Sequence, residues 1–253
     1  MISRRALLSW LGASGGACAV AAGSPLSAVA GARPAMSTRI ISLESFCIAR
    51  TDHDARFHAY LVDTLLPRMN EIREGPRLYL DAIVAPYTPQ AALLAVFSSF
   101  DEMLEVRASL TSSPGIRQAR AELESARILE EVRSQVLVVS EESLRFPEDL
   151  KSLQTGVFEM RSYDAPAWQD GVPTRVTAVL RRAGIHPIVN AATAAGEHMP
   201  RFTYVIPFAS LAAREEAWTR LEADAEWINM QRESVATVTG KSIYKLAPYS
   251  QLG

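Results

Sequence analysis

Val157-Phe158-Glu159-Met160-Arg161-Ser162-Tyr163 alternates apolar and polar residues, the pattern of a strand with one buried face, and Ile40 to Ala49 does the same in the first half of the chain. The stretches after the two strands are alike. After the first, Phe57, Tyr60, Leu61, Thr64, Leu65, Met69 and Ile72 form a helical stripe that Gly75-Pro76 ends. Leu78–Val84 and Ala91–Phe97 read as strands, Asp101–Leu110 as a helix, a further polar helix runs to about Arg133, and Val136–Val139 closes the half as a strand. After Val157–Tyr163 the pattern predicts a helix over Pro173–Val189, a strand over Phe202–Phe208, a helix over Leu211–Leu221, a short helical piece over Asp224–Glu233 and a last strand over Ser242–Leu246. The spacing from Phe97 to Leu110 equals that from Phe208 to Leu221, and Pro67 and Pro187 take the same place within their helices. An internal proline costs a helix about 3 kcal/mol, so its recurrence argues for one β-α-β-β-α-β unit present in two diverged copies.

One such unit leaves an apolar sheet face bare, and the other copy is the natural cover. The expected class is therefore α+β, two tandem units at 39–145 and 156–250 with a linker at 146–155, packed sheet to sheet as a pseudo-dimeric α/β barrel within one chain. Alternation puts Ile41 and Leu43 with Phe158 and Met160 on one face, and Ile40, Ser42, Glu44 and Phe46 with Val157, Glu159, Arg161 and Tyr163 on the other. The charged and aromatic set is expected to face inward, with Glu44 and Arg161 at equivalent positions near the pseudo-two-fold axis.

Before these units, Arg4 and Arg5 precede an uncharged stretch that runs from Ala6 to Ala32. Ser3-Arg4-Arg5-Ala6-Leu7-Leu8 resembles a twin-arginine export signal, and Ala28-Val29-Ala30 offers a small-x-small cleavage pattern, with Ala30-Gly31-Ala32 as a second choice. Residues 1–32 are thus expected to be an export signal and the remainder to work in the periplasm. Cleavage removes Cys18 and leaves Cys47, so no internal disulfide can form in the mature chain. The net charge of −2 includes no basic tract, which gives no footprint for nucleic acid, and no later stretch is long and apolar enough to span a bilayer.

Four motifs of the second half occur in order. Glu159-Met160-Arg161-Ser162-Tyr163 resembles the Glu-Leu-Arg-Thr-Tyr strand of the NIPSNAP family, and Phe208-Ala209-Ser210-Leu211-Ala212-Ala213-Arg214-Glu215-Glu216-Ala217-Trp218 is similar to its signature helix entry. Asp224-Ala225-Glu226-Trp227 resembles the family's Asp-Pro-Glu-Trp turn, and Gly184-Ile185-His186-Pro187 the end of its first helix. The resemblance covers about Val157 to Tyr249 and implies a ferredoxin-like dimeric α/β-barrel fold. It implies no reaction.

No nucleophile elbow, phosphate-binding loop, dinucleotide fingerprint or HExxH motif is present, and the four histidines are too scattered to suggest a metal site. His53 and His58 read as surface or cap residues. His186 replaces the apolar Leu66 of the first copy, as a structural histidine, a general base or a haem ligand. Glu44 and Arg161 read either as a partly buried ion pair or as part of an anion-gripping pocket walled by Phe46, Tyr163 and Tyr204. The ligand-pocket candidates are thus Glu44, Phe46, Arg161, Tyr163, His186 and Tyr204. Trp218 and Trp227 are expected to anchor the second helix, and Cys47 to be an inert thiol on the helix-facing side. These residues favour a non-catalytic binder of a small molecule or protein partner, with no resident cofactor and with homo-oligomerisation open. The alternative is a cofactor-free monooxygenase-like or haem-handling enzyme of the same barrel superfamily.

Overall fold

The seven strands read from the sequence are present, and an eighth, over residues 189–195, joins them. The computed structural model describes residues 38–147, 153–164, 174–197, 199–233 and 236–251. In the first half the order is β1 (Thr38–Ile48), α1 (Asp54–Tyr60), a π-helical stretch Leu61–Leu65, α2 (Leu66–Ile72), β2 (Arg77–Val84), β3 (Gln90–Phe97), α3 (Phe100–Ser112), α4 (Pro114–Ser125) and β4 (Leu129–Ser140). In the second it is β5 (Val157–Asp164), α5 (Thr174–Arg182), β6 (Val189–Ala195), β7 (Arg201–Phe208), α6 (Leu211–Glu222), α7 (Ala225–Glu233) and β8 (Thr237–Leu246). The strands close into a barrel in the order β1-β3-β2-β8-β5-β7-β6-β4. Each half contributes the same four-strand arrangement. The halves join edge to edge where β2 pairs with β8 and β4 with β6, which leaves no open edge in the closed sheet.

The barrel interior is the face that lacks charge in the middle of each strand. Ile41, Leu43, Leu80, Leu94, Phe158, Met160, Val205 and Leu246 pack there in one cluster. Each large aliphatic side chain buried in this way stabilises the fold by roughly 1.5–3 kcal/mol. The opposite faces carry the helices. Phe46, Phe57, Leu61 and Met103 pack in the layer of the first half, and Tyr163, Val176, Leu180, Tyr204 and Trp218 in that of the second. The charged and aromatic set of β1 and β5 therefore faces the helices, reversing the expected orientation. An eight-stranded interior is just wide enough for side chains to fill. A helix layer can supply arginine donors and has a solvent-lined rim.

Two helix ends differ from the sequence reading. The expected polar helix to Arg133 stops at Ser125, and Leu129 already begins β4. The stop is a Schellman motif, in which the Ile128 amide donates to the Leu123 carbonyl at 2.9 Å and the Arg127 amide to the Glu124 carbonyl at 3.0 Å. Arg127 sits at φ 53°, a left-handed position held by a residue other than glycine. The expected helix to Val189 stops at Arg182 through the same motif, where Ile185 donates to Leu180 at 2.9 Å and Gly184 has φ +82°. Residues 189–195, the end of that expected helix and beyond, form β6. Pro67 lies in the first turn of α2, directly after the π-helical stretch, whereas Pro187 lies in the connection to β6, so the two prolines are not equivalent. The expected helix start at Pro173 and part of the linker lie outside the described residues.

Candidate functional site

β5 lays Glu159, Arg161 and Tyr163 in a row against α6, because alternation turns every second residue toward the helix layer. Ser210 starts α6 by accepting the Ala213 amide at 3.1 Å, and this fixes Arg214 and Trp218, one turn apart, above that row. Glu159 is 0% exposed and Arg214 4%. Arg214 grips the carboxylate through both oxygens, Nε to Oε2 at 2.9 Å and a terminal nitrogen to Oε1 at 3.1 Å. Arg161 Nε donates to Oε1 at 2.5 Å and the Trp218 indole N–H to Oε2 at 2.6 Å. Arg214 also pairs with exposed Glu215. The Arg161 guanidinium lies 3.3 Å from the Trp218 ring centroid, a close cation–π contact. Every lone-pair direction of the buried carboxylate is thus met by a donor, as a buried charge requires.

Next to this network, Tyr163, Val176, Leu180, Tyr204, Ile206, Trp218 and Trp227 line a cavity of about 10 Å³, room for roughly one water in its present form. Tyr163 and Tyr204 meet edge to face with centroids 5.7 Å apart. Burial raises both phenols above the ordinary tyrosine value; Arg161 opposes the shift at Tyr163, and the Tyr163 neighbour adds to it at Tyr204. Both therefore stay protonated and can donate. The Tyr204 hydroxyl, on a side chain 3% exposed, has no hydrogen-bond partner among the described residues. The outer wall consists of Val176 and Leu180 on α5 and Trp227 on α7. These two helices are tied at the surface by Arg175–Glu226 at 2.8 Å and by Arg182 to Asp224 and Glu226 at 3.1 and 2.8 Å. Exposed pairs of this kind hold weakly.

Residues 154–251 match the NIPSNAP family model. The Glu159 network and the cavity both lie within this NIPSNAP-matching half. No curated protein matches the sequence. Among solved structures, a candidate chlorite dismutase is 14% identical over 84% of this chain and 96% of its own, with a TM-score of 0.53, a likeness of fold. A haem-binding protein from Thermus thermophilus is 12% identical over 83% of this chain and 91% of its own, with a TM-score of 0.45. A NIPSNAP family protein from Agrobacterium tumefaciens is 13% identical over 41% of this chain and 87% of its own, with a TM-score of 0.35.

Of the six ligand-pocket candidates, Tyr163 and Tyr204 line the cavity and Arg161 borders it. Glu44 does not meet Arg161. It accepts from Arg107 of α3 at 3.1 Å in the first half, and Phe46 packs on Phe57 there with centroids 5.0 Å apart. His186 is exposed in the connection after α5 and is not part of the cavity wall. Cys47 is buried but shares the parity of Ile41 and Leu43, so it faces the barrel interior rather than the helices. His58 is not a plain surface residue. It bonds the Tyr249 hydroxyl and lies 3.4 Å from Asp81 and 3.6 Å from Asp54. His198 lies outside the described residues. The sequence reading missed Glu159 and Arg214 as partners, although both stand inside the quoted motifs. Trp218 anchors α6 as expected, and Trp227 lines the cavity.

Haem, the group that the superfamily reading would bring, does not fit these residues. Among the described residues no histidine, cysteine or methionine lines the cavity, so none is in place to ligate a haem iron there.

Proposed function

We propose that the second half binds a small, flat, mostly apolar molecule between β5, β7 and helices α5–α7, without covalent chemistry. The observation that carries this reading is the Tyr204 hydroxyl, buried, protonated and unpartnered among the described residues, in a cavity with four aromatic walls. Leaving such a group unbonded costs about 1–3 kcal/mol, which a ligand oxygen accepting from it recovers. The ligand enters as α5 and α7 part, a motion opposed by the buried packing of Val176, Leu180 and Met230 and, more weakly, by the exposed ion pairs. Glu159 and Arg214 set the position of Arg161 and Trp218 and make no contact with the ligand. Two raised phenols are donors rather than bases, which favours binding over oxygenase chemistry.

Titration calorimetry with 2-naphthol as the probe tests this. One site per chain is expected, with affinity falling roughly tenfold in Tyr204→Phe, the loss of about one well-made hydrogen bond. Equal affinity in the variant would remove the proposal. We also propose that the protein acts in the periplasm after twin-arginine export. The support is the Ser3-Arg4-Arg5 leader and the single cysteine left after cleavage. Cell fractionation of the full chain against an Arg4→Lys, Arg5→Lys variant is the test, with retention of the wild type inside the cytoplasm as the contrary result.

A further inference from the structure

The barrel interior is apolar along most of its length and polar at one end. Toward the C-terminal end of β1 the inner face passes from Ile41 and Leu43 to Ser45 and Cys47, and its β4 partners pass from Leu137 to Gln135 and Arg133. On the next strand, β6, the same face carries Val189, Ala191 and then Thr193, which is in register with Leu137. Along this wall three buried polar atoms have no partner among the described residues, namely Thr193 Oγ1, Gln135 Oε1 and Arg133 Nε. Thr193 is itself only 7% exposed.

Other inner-face polar groups, on the neighbouring and facing strands, are paired. Ser162 and Thr203 hydroxyls lie 3.4 Å apart, and Gln90 Nε2 donates to the Tyr244 hydroxyl at 3.0 Å. Each orphaned buried group costs on the order of 1–3 kcal/mol, so the Thr193 hydroxyl and the Gln135 amide oxygen point to an occupant that bonds them; Arg133, 33% exposed and 4.7 Å from the Tyr87 ring centroid, stands at the solvent side of the row. The formal charges at this end cancel, since Arg133 pairs with Glu131 at 2.8 Å and Arg201 with Asp164 at 3.4 Å. That balance disfavours an ion. The row offers an N–H donor, an amide acceptor and a hydroxyl that can do either, which is the complement of adjacent hydroxyl groups.

We propose that this end of the barrel is a second binding site, for a small neutral polyol whose oxygens accept from Arg133 Nε and donate to Gln135 Oε1 while Thr193 bonds either way. It lies on the opposite side of the sheet from the aromatic cavity and does not depend on it.

Two-dimensional NMR of the full chain titrated with erythritol, reading the Arg133 Nε–H signal and the amides of residues 133–137 and 191–195, tests the proposal. Saturable shifts are expected in the wild type, with at least tenfold weaker binding in a Thr193→Val, Gln135→Leu variant, which keeps side-chain size but removes two bonds. A matching thermal unfolding curve shows that the variant is folded; if it is not, Thr193→Val alone carries the same test with a smaller drop. Absence of saturable shifts in the wild type, or shifts equal in wild type and folded variant, would overturn it and leave the row to ordered waters alone.

Discussion

The helix layers of the two halves use equivalent positions for opposite purposes. In the first half, Ser42 and Glu44 of β1 face Arg107 of α3, with Arg107 at 3.0 Å from the serine hydroxyl and 3.1 Å from the carboxylate. In the second, Glu159 and Arg161 of β5 face Arg214 and Trp218 of α6. Counted from the capping serines Ser99 and Ser210, Arg107 and Trp218 occupy the same helix position. The first half places a simple ion pair there, with side chains 36% and 25% exposed. The second puts Arg161 at the strand position of Glu44 and Trp218 at the helix position of Arg107, moves the carboxylate to Glu159 where it is buried, and lays a guanidinium on an indole beside a cavity. One scaffold thus supports a solvent-bordered structural contact in one copy and a buried polar network with an adjoining aromatic cavity in the other.

The largest expected break in this comparison comes from neutralising each carboxylate in turn. Glu159→Gln removes the buried charge that Arg214 and the part-buried Arg161 share, leaving Arg214 only the exposed Glu215, and should destabilise the protein by about 3 kcal/mol in urea unfolding. Glu44→Gln, at a half-exposed pair, should cost less than about 1 kcal/mol. Comparable losses at both positions would show that the halves are not differently built.

The two helix exits give the next contrast. Arg127 at the end of α4 holds a left-handed conformation that costs a side-chain-bearing residue about 1–2 kcal/mol, while Gly184 at the end of α5 does not bear that cost. Arg127→Gly should therefore stabilise by roughly 1 kcal/mol and Gly184→Ala destabilise by a similar amount, read as shifts in the denaturation midpoint.

A smaller effect follows from the phenols. Burial raises Tyr163 and Tyr204 in the folded state, so a rise in pH ionises them in the unfolded chain first. Their contribution is fully present below about pH 10, the ordinary tyrosine value, and is lost as pH climbs from there toward the raised folded values. Tyr204→Phe should flatten that alkaline decline in unfolding free energy, whereas a decline unchanged by the substitution would place the titration elsewhere.

Much of the fold was legible in the sequence. Two-residue alternation, the common spacing from Phe97 to Leu110 and from Phe208 to Leu221, and the motifs around Arg161 and Trp218 sufficed for a closed pseudo-dimeric barrel. Alternation separates two faces but does not say which one the barrel encloses, so Glu44 and Arg161 were expected inside and are found under the helices. The α5 stop is signalled by Gly184, where glycine is the usual residue at a left-handed helix exit. The α4 stop carries no such signal, because Arg127 fills the position where glycine is usual. The candidate site was half legible. Arg161, Tyr163 and Tyr204 are near one another because they share adjacent strands, while the contribution of Arg214 depends on how α6 docks, which no spacing reveals.

The most direct test of the central claim is a crystal structure of the protein soaked with 2-naphthol. The ring is predicted to lie between Tyr163, Tyr204, Trp218 and Trp227, its oxygen accepting from the Tyr204 hydroxyl, with α5 and α7 displaced outward. A ring bound under α1 and α3 in the first half, or no ring in either layer at saturating probe, would contradict it.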